Sequence, residues 1–324
     1  MSIEVVKPGL LTTLQDEGRH GMAHLGIGTA GAFDLPALWI ANALCGNPRH
    51  ACVLELTLLG PTLHFRSHAR VALAGAPMSF HIDGRKQPMW APVHVHAGAT
   101  VTLGAITKGC RSYLAAQGGF AVAPVLGSCS DDVNAGLGPR NGKPLHAGDV
   151  LAFNHANSST PAKHRAKPTW RLDPRPWFCD DPQAPLRLLP GKHFDAVTTL
   201  ARAELFSETF TVHNDSNRVG VRLAGPKLEL ATPIEMVSEG CVPGLLQLPP
   251  SGQPIAFGPE CPVSGGYPRI GQIAAVDLPR LAQSRPGDAL RFAPCTFVEA
   301  LDALDVRERA LTQLEANIAA RLDA

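Results

Sequence analysis

Aromatic side chains are scarce, 6% of the 324 residues, and only two of them are tyrosine. A chain so poor in large rings must fill its core with aliphatic side chains, and a 45% hydrophobic content suffices for that. No uninterrupted apolar stretch approaches the ~18 residues a membrane helix needs. The first residues, MSIEVVKPG, have neither a basic stretch leading into an apolar one nor a small-residue cleavage site, so a soluble, cytoplasmic protein is expected. Charge of one sign is missing as well. There are 29 Lys and Arg against 28 Asp and Glu, with no run of like charge, which excludes a general attraction to nucleic acid or to an anionic membrane. Any anion site must be local.

Several chemistries lack their signatures. The eight cysteines include no CxxC pair and no Cys/His cluster of zinc-ligand spacing, so buried free thiols are expected. His94 and His96 alternate along one expected strand without an identifiable third ligand, and an exposed strand face is the better reading; no metal site is expected. Ser128, in Gly127-Ser-Cys-Ser130, lacks the GxSxG elbow of a serine hydrolase. The segment Gly26-Ile-Gly28-Thr-Ala-Gly31 has the glycines of a nucleotide loop but neither the strand and helix around it nor a following Lys-Ser or Lys-Thr, and reads as turn geometry.

What the chain has in plenty is turn formers, 31 glycines and 29 prolines, in an otherwise hydrophobic sequence. That balance predicts many short strands. Strands are expected at residues 70–73, 78–82, 93–95, 100–103, 112–115, 186–189, 210–212 and 255–257, each bounded by Gly, Pro or Asn. Helical periodicity is confined to residues 35–44, a short stretch near 195–205, and the tail 297–322, where Leu301, Leu304, Val306, Leu311, Leu314, Ile318 and Leu322 form an apolar stripe suited to packing on a body or on a partner. Two phrases recur in order: LLGPTLHF and AGDVLAF in the first half, LAGPKLEL and PGDALRF in the second. They suggest two related β units. The expected organisation is a first β unit over 1–160, a linker over 161–185, a second β unit over 186–295, and a C-terminal helix over 296–324.

Two regions carry candidate chemistry. In the opening stretch GLLTTLQDEGRHGMAHLGIGTAGAFD, Gln15, Asp16 and Arg19 lie within five residues. The carboxylate and guanidinium either orient a polar substrate by charge-assisted hydrogen bonds or only fix the turn. In the second half, Ser216-Asn217-Arg218-Val-Gly220 joins an amide to a guanidinium and suits an acidic or carbonyl-bearing ligand. Glu239, Gln253 and Tyr267 add polar groups that the surrounding Gly-Pro turns do not require.

These blocks, together with NALCGN, VLEL, SYLAAQGGF, VLGS, SNRVGVRLAG, SEGCVPGLLQLPPSGQPI, SGGYPRI and LAQSRPGDALRF, stand in the order found in allophanate hydrolase subunit 2 proteins. The chain resembles this family, which is also described as the C subunit of 5-oxoprolinase or as biotin-dependent carboxyltransferase-like, from about Val5 to Phe292. The resemblance implies a mainly β fold of two cyclophilin-like β-barrel units with few short helices. It also implies that the chain works with a B-like partner of the allophanate hydrolase subunit 1 type, and with a third, A-like component, in an ATP-dependent hydrolase opening the lactam 5-oxoproline to glutamate. ATP would be bound by the complex and not necessarily by this chain. In the alternative it implies, a carboxyl group passes from carboxybiotin to a urea-like substrate; the chain has no Met-Lys-Met biotinylation site, so the biotin carrier would be separate. A non-catalytic binding paralogue is the third reading. Carried over to this chain, the family's site implies Asp16, Arg19, Asn217 and Arg218 as catalytic and Gln15, Asp34, Glu239, Gln253 and Tyr267 as substrate-binding. The chain departs from the pattern where members usually read VLGSRST and LLADRQTTGGYP: Cys129 and Cys261 stand at Arg positions, Glu260 at an Asp and Pro262 at a Gln.

Overall fold

The structure, a computed structural model, describes residues 1–154, 170–178 and 184–323. It is mainly β with few helices and a long C-terminal one, in keeping with barrel-like units. The chain divides into two compact units: Met1–Arg19, Asp34–Asp180 and Leu311–Ala324 form the first, and His20–Phe33 with Asp181–Ala310 the second. The opening glycine-rich stretch is therefore shared out, with Gln15, Asp16 and Arg19 in the first unit and the glycines from Gly21 to Gly31 in the second. The expected linker over 161–185 lies largely outside the described residues.

In the first unit two sheets enclose one aliphatic core. One runs, neighbour to neighbour, Val150–Ala152, Ser2–Lys7, Thr62–Phe65, Thr100–Ile106, Met78–Ile82, Arg85–Lys86; the other runs Leu11–Gln15, Val53–Thr57, Arg111–Ala116, Ala69–Gly75, Val93–Val95. Strict alternation in strands such as Met78–Ile82 and Val93–Val95 turns every second side chain inward. Ile3, Val5, Leu54, Leu56, Leu63, Leu73, Val101 and Leu114 bury almost all their surface in this core.

Helix α1 (Leu35–Cys45) packs on the second of these sheets and has eight buried residues. Asp34 is its N-cap: the carboxylate accepts from Ala37 N–H at 3.1 Å, Pro36 follows where a missing N–H costs nothing, and Gly46 closes the helix at φ 73°. The Tyr113 hydroxyl ties this helix start to the sheet. It accepts from Asp34 N–H at 2.8 Å and donates to buried Glu55 at 2.8 Å, and burial pushes its phenol well above the ordinary value.

The second unit is built on one sheet in the order Ala289–Leu290, Phe210–Val212, Gly220–Ala224, Ile255–Phe257, Leu245–Gln247, Arg269–Ile273, Leu186–Pro190, Phe292–Pro294. Helices α2 (Thr199–Ser207) and α3 (Leu278–Ala282) contribute Ala201, Leu205, Leu281 and Ala282 to its core. The repeated phrases find a structural counterpart. In the first unit the strand following Gly60-Pro61 and the strand following the Gly148-Asp149 turn flank a common partner, Ser2–Lys7; in the second, the strand preceding Gly225-Pro226 and the one following Gly287-Asp288 flank Phe210–Val212.

Helix α4 (Phe297–Asp323) fulfils the expected helix, but its apolar stripe is not buried evenly. Leu311 and Ile318 are buried, whereas Phe297, Val298, Leu301 and Val306 stand exposed in this chain alone. Arg49 grips Glu315 of its second half with two hydrogen bonds, at 2.7 and 3.0 Å, and lies over the Trp39 ring. Among the described residues no helix is long and apolar enough to cross a membrane.

Candidate functional site

The richest polar assembly of the first unit is made where strand Leu11–Gln15 runs out beside the turn at residues 125–131. Val125 and Ser128 exchange backbone hydrogen bonds at 2.8 and 3.3 Å across Leu126 and Gly127, both with positive φ, as a tight two-residue hairpin of the I′ type demands. This turn delivers Ser128, Cys129 and Ser130 onto Asp16. One carboxylate oxygen of Asp16 accepts from the Ser128 and Ser130 hydroxyls, each at 2.6 Å, and from Gly18 N–H at 2.8 Å. The other accepts from Cys129 N–H at 2.6 Å. Four donors on one buried carboxylate fix it in place. Among the described residues, then, Asp16 is held by this turn and not by Arg19.

Arg19 takes a different role. Only 1% of it is exposed, its Nη2 donates to Ser130 O at 2.5 Å, and its Nε and Nη1 have no partner. An unsatisfied buried donor costs about 1 to 3 kcal/mol, more when it is charged. Gln15 repeats the pattern with the opposite polarity: its Nε2 donates to Thr13 Oγ1 at 3.0 Å and to Asp131 O at 2.9 Å, while its Oε1 is unpartnered. Asp131 completes the set. It is fully buried, its Oδ1 accepts from Arg140 N–H at 3.0 Å, and its Oδ2 has no partner. Burial pushes its carboxyl up to about 6, against backbone N–H bonds from Arg140 and Gly142 and the charges of Arg140 and Arg19, which pull it down. Gly138 lets the backbone pass this close, since a Cβ there would stand 2.5 Å from Asp131 Oδ1. Buried N–H donors on Arg19 and buried oxygens on Gln15 and Asp131 are thus without hydrogen-bond partners in the same unit. Asp131 is not among the site residues expected from the sequence. Its only signal there is an acidic residue following the VLGS block, and its meaning lies in contacts more than a hundred residues away along the chain.

In the second unit Arg218 is 3% exposed and pairs through Nε with buried Glu260, while its Nη2 donates to Gly31 O at 2.5 Å. Gly258 is needed here, because a Cβ would lie 2.3 Å from Arg218 O. Asn217 is exposed and turned on its own backbone: Oδ1 accepts from Val219 N–H at 2.8 Å and Gly220 N–H at 3.3 Å, a local turn that shapes the strand start. Gln253 clasps Gly225 with both ends of its amide, at 2.8 and 3.1 Å. Glu239 bridges Lys192, at 2.6 Å, and Arg269, and Tyr267 is 45% exposed. Asp34, as described, caps α1. The first unit thus gathers Gln15, Asp16 and Arg19, whereas in the second Arg218, Glu239 and Gln253 are occupied in ion pairs and backbone clasps.

Cys129 is half-buried in the Asp16 turn, and Cys261 is buried with its carbonyl near Gly28. His96 makes an exposed pair with Asp83 at 2.9 Å. No group of three or more metal-ligating side chains occurs among the described residues.

The sequence pattern described as "Carboxyltransferase domain, subdomain A and B" matches residues 25–294. The chain is 35% identical over 313 residues to the C subunit of 5-oxoprolinase from Escherichia coli, covering 96% of this chain and 97% of that protein. It is 29% identical to the urea amidolyase of Saccharomyces cerevisiae over its whole length, but covers only 18% of that larger protein. Among solved structures, the urea amidolyase of K. lactis superposes with a TM-score of 0.84 at 28% identity, over 96% of this chain and 20% of the other.

Proposed function

The chain belongs to the carboxyltransferase domain family, subdomains A and B, and on that premise we propose that it is the carboxyltransferase-like subunit of an ATP-dependent complex of the 5-oxoprolinase type. Its substrate in this reading is 5-oxoproline or a related lactam or amide, opened to glutamate or the corresponding acid. The observation that carries the reading is a set of buried polar atoms in the first unit without hydrogen-bond partners: Arg19 Nε and Nη1, Gln15 Oε1 and Asp131 Oδ2.

A lactam is a planar amide whose resonance protects it from attack. The Arg19 N–H groups would donate to the substrate's carbonyl oxygen and stabilise the negative charge that grows on it. Removal of such a donor costs on the order of 10²- to 10³-fold in rate in other enzymes. Gln15 would receive the lactam N–H, and Asp131, whose carboxyl exchanges its proton near pH 6, would take a proton from the water that adds to the carbonyl carbon and hand it to the ring nitrogen as the C–N bond breaks. Asp16 sets the turn on which Asp131 is carried. Arg218 acts in the second unit with Glu260, and Asn217 shapes the strand that follows. ATP enters through the assembly and its chemistry is assigned to the complex. A B-like protein of the allophanate hydrolase subunit 1 type is the proposed first partner and an A-like protein the second.

The likeness to urea amidolyases favours one alternative: transfer of a carboxyl group from carboxybiotin, borne on a separate carrier, to a urea-like substrate, whose carbonyl and N–H groups suit the same set. Neighbouring proteins separate the two. Copurified with its B-like and A-like partners, the chain is expected to release glutamate from 5-oxoproline only when ATP is supplied. If partners that are competent alongside another member of the family release none with this chain, the proposal is contradicted, and carboxylation of urea in that assembly establishes the alternative.

A further inference from the structure

In the proposed reaction Asp131 takes up and hands on a proton, yet the residue is wholly buried. What lies against it is the stretch 132–144. Gly138 packs so close that a Cβ there would stand 2.5 Å from Asp131 Oδ1 and 2.7 Å from Ser130 O, the carbonyl that Arg19 holds. Arg140 N–H donates to Asp131 Oδ1 at 3.0 Å. Both ends of the stretch are fastened to one strand, Leu11–Gln15: Asp131 N–H donates to Leu14 O at 2.9 Å and Leu145 N–H to Thr12 O at 2.8 Å.

Between those anchors the chain forms a loop closed on itself. Asp132 and Leu137 exchange backbone hydrogen bonds at 2.7 and 3.2 Å, and Asp132 Oδ1 accepts from Asn134 and Ala135 N–H at 3.1 and 2.9 Å. Gly142, at φ 69°, brings the ends together, since a Cβ there would stand 2.7 Å from Gly136 Cα. The described aliphatic core of the unit takes in Leu145 but neither Val133 nor Leu137, and residues 133–136 are exposed. A polar clasp holds the loop instead. The Arg140 guanidinium pairs with the carboxylate of Asp149, a residue whose carbonyl accepts Val5 N–H at 2.8 Å and whose Oδ2 also accepts His146 N–H at 2.6 Å. Segments with few apolar contacts and a polar fastening open at low cost.

We propose that residues 132–144 form a lid over Asp131, latched by the Arg140–Asp149 pair and swinging on the anchors at Asp131 and Leu145, which lifts to let substrate and water reach the carboxyl. The need for access rests on the reading of Asp131 as the group that moves the proton. Closed, the lid keeps bulk water from the reacting amide; open, it carries Gly138 and the Arg140 N–H away from Oδ1. Asp16 keeps its place in both forms. Its four donors come from Gly18 and from the turn at 125–131, none of which belongs to the lid.

The test is carboxyl footprinting of the native full chain with a water-soluble carbodiimide and glycine ethyl ester, read residue by residue by mass spectrometry. Asp131 is expected to label roughly tenfold faster than Asp16 or more, although it is the more deeply buried of the two, 0% exposed against 6%. Asp149→Asn removes the charge of the latch and keeps an oxygen for His146 N–H. It is expected to raise the labelling of Asp131 roughly five- to tenfold and to leave Asp16 unchanged. The lid is overturned if Asp131 and Asp16 label at one rate, the mark of opening by global unfolding alone, or if Asp149→Asn leaves the Asp131 rate where it was. The wild-type comparison of the two carboxyls decides the matter even where the variant fails to fold. Labelling needs no substrate, so a chain whose Asp131 labels as expected while its assembly leaves 5-oxoproline intact keeps the lid and loses the proposed reaction.

Discussion

At Asp131 burial and the lack of a partner for Oδ2 act in the same direction: both favour the protonated carboxyl. Its pKa of about 6 in the folded chain stands above the ordinary value of 3.8, so the folded state holds the proton more tightly than the unfolded state does. The stabilising contribution is therefore whole below pH about 4 and is lost as the pH rises through 6. Asp131→Asn keeps an oxygen for the Arg140 N–H and carries no charge to bury. Between pH 4.5 and 7.5 the variant is expected to gain about 2 kcal/mol relative to the wild-type chain, measured by urea denaturation. A difference that does not change with pH would contradict the placement of Asp131 as a buried, poorly satisfied acid. The residue is hard to see in the sequence for a physical reason. An Asp after a serine, here the first of the pair Asp131-Asp132, is compatible with any turn, and only the folded chain shows which of its oxygens finds a donor. Asp16 is legible because a glycine-rich polar path is unusual, but the serines that make it rigid are not, since they come from 112 and 114 residues further on.

The turn at 125–131 shows how an element sets a site. Two glycines serve it for different reasons, one within the turn and one packed against its end. Gly127 supplies a positive φ with nothing within 4 Å of the place a Cβ would take, whereas Gly138, at φ 140°, gives passage to Asp131 and to Ser130 O at 2.7 Å. Gly127→Ala is expected to cost about 1 kcal/mol of stability, the cost of an alanine in a left-handed turn. Gly138→Ala must also displace backbone and the Asp131 carboxylate, and is expected to cost about 3 kcal/mol or more with loss of activity. Equal costs in thermal unfolding would refute the close approach. Elements of this kind are well signalled where turn formers bound them. The strands at 78–82, 93–95, 210–212 and 255–257 fall where the Gly, Pro and Asn punctuation puts them, and the helices at 35–45 and 297–323 where the period of 3.6 does. Helix α4 is the instructive case: periodicity announces an apolar stripe but not what covers it, and two of its seven side chains, Leu301 and Val306, are exposed here.

Across the whole molecule, the repeated phrases each mark strands that flank a common partner within their own sheet, Ser2–Lys7 in one and Phe210–Val212 in the other. Only the fold shows that Gly-Pro precedes the flanking strand in one unit and follows it in the other. The proposed chemistry lies in the first unit, where a buried guanidinium keeps two N–H groups without partners. Such groups are a cost to folding, which the proposed substrate would relieve by pairing them. The most direct measurement replaces Arg19 by methionine in the assembled complex and follows both ATP-dependent glutamate release from 5-oxoproline and the urea midpoint of the chain. With its unpaired donors removed, Arg19→Met is expected to unfold within about 1 kcal/mol of wild type. Its turnover is expected to fall on the order of 10²-fold or more. A chain that loses several kcal/mol of stability, while its folded fraction turns over at the wild-type rate, would make Arg19 a structural residue and contradict the account.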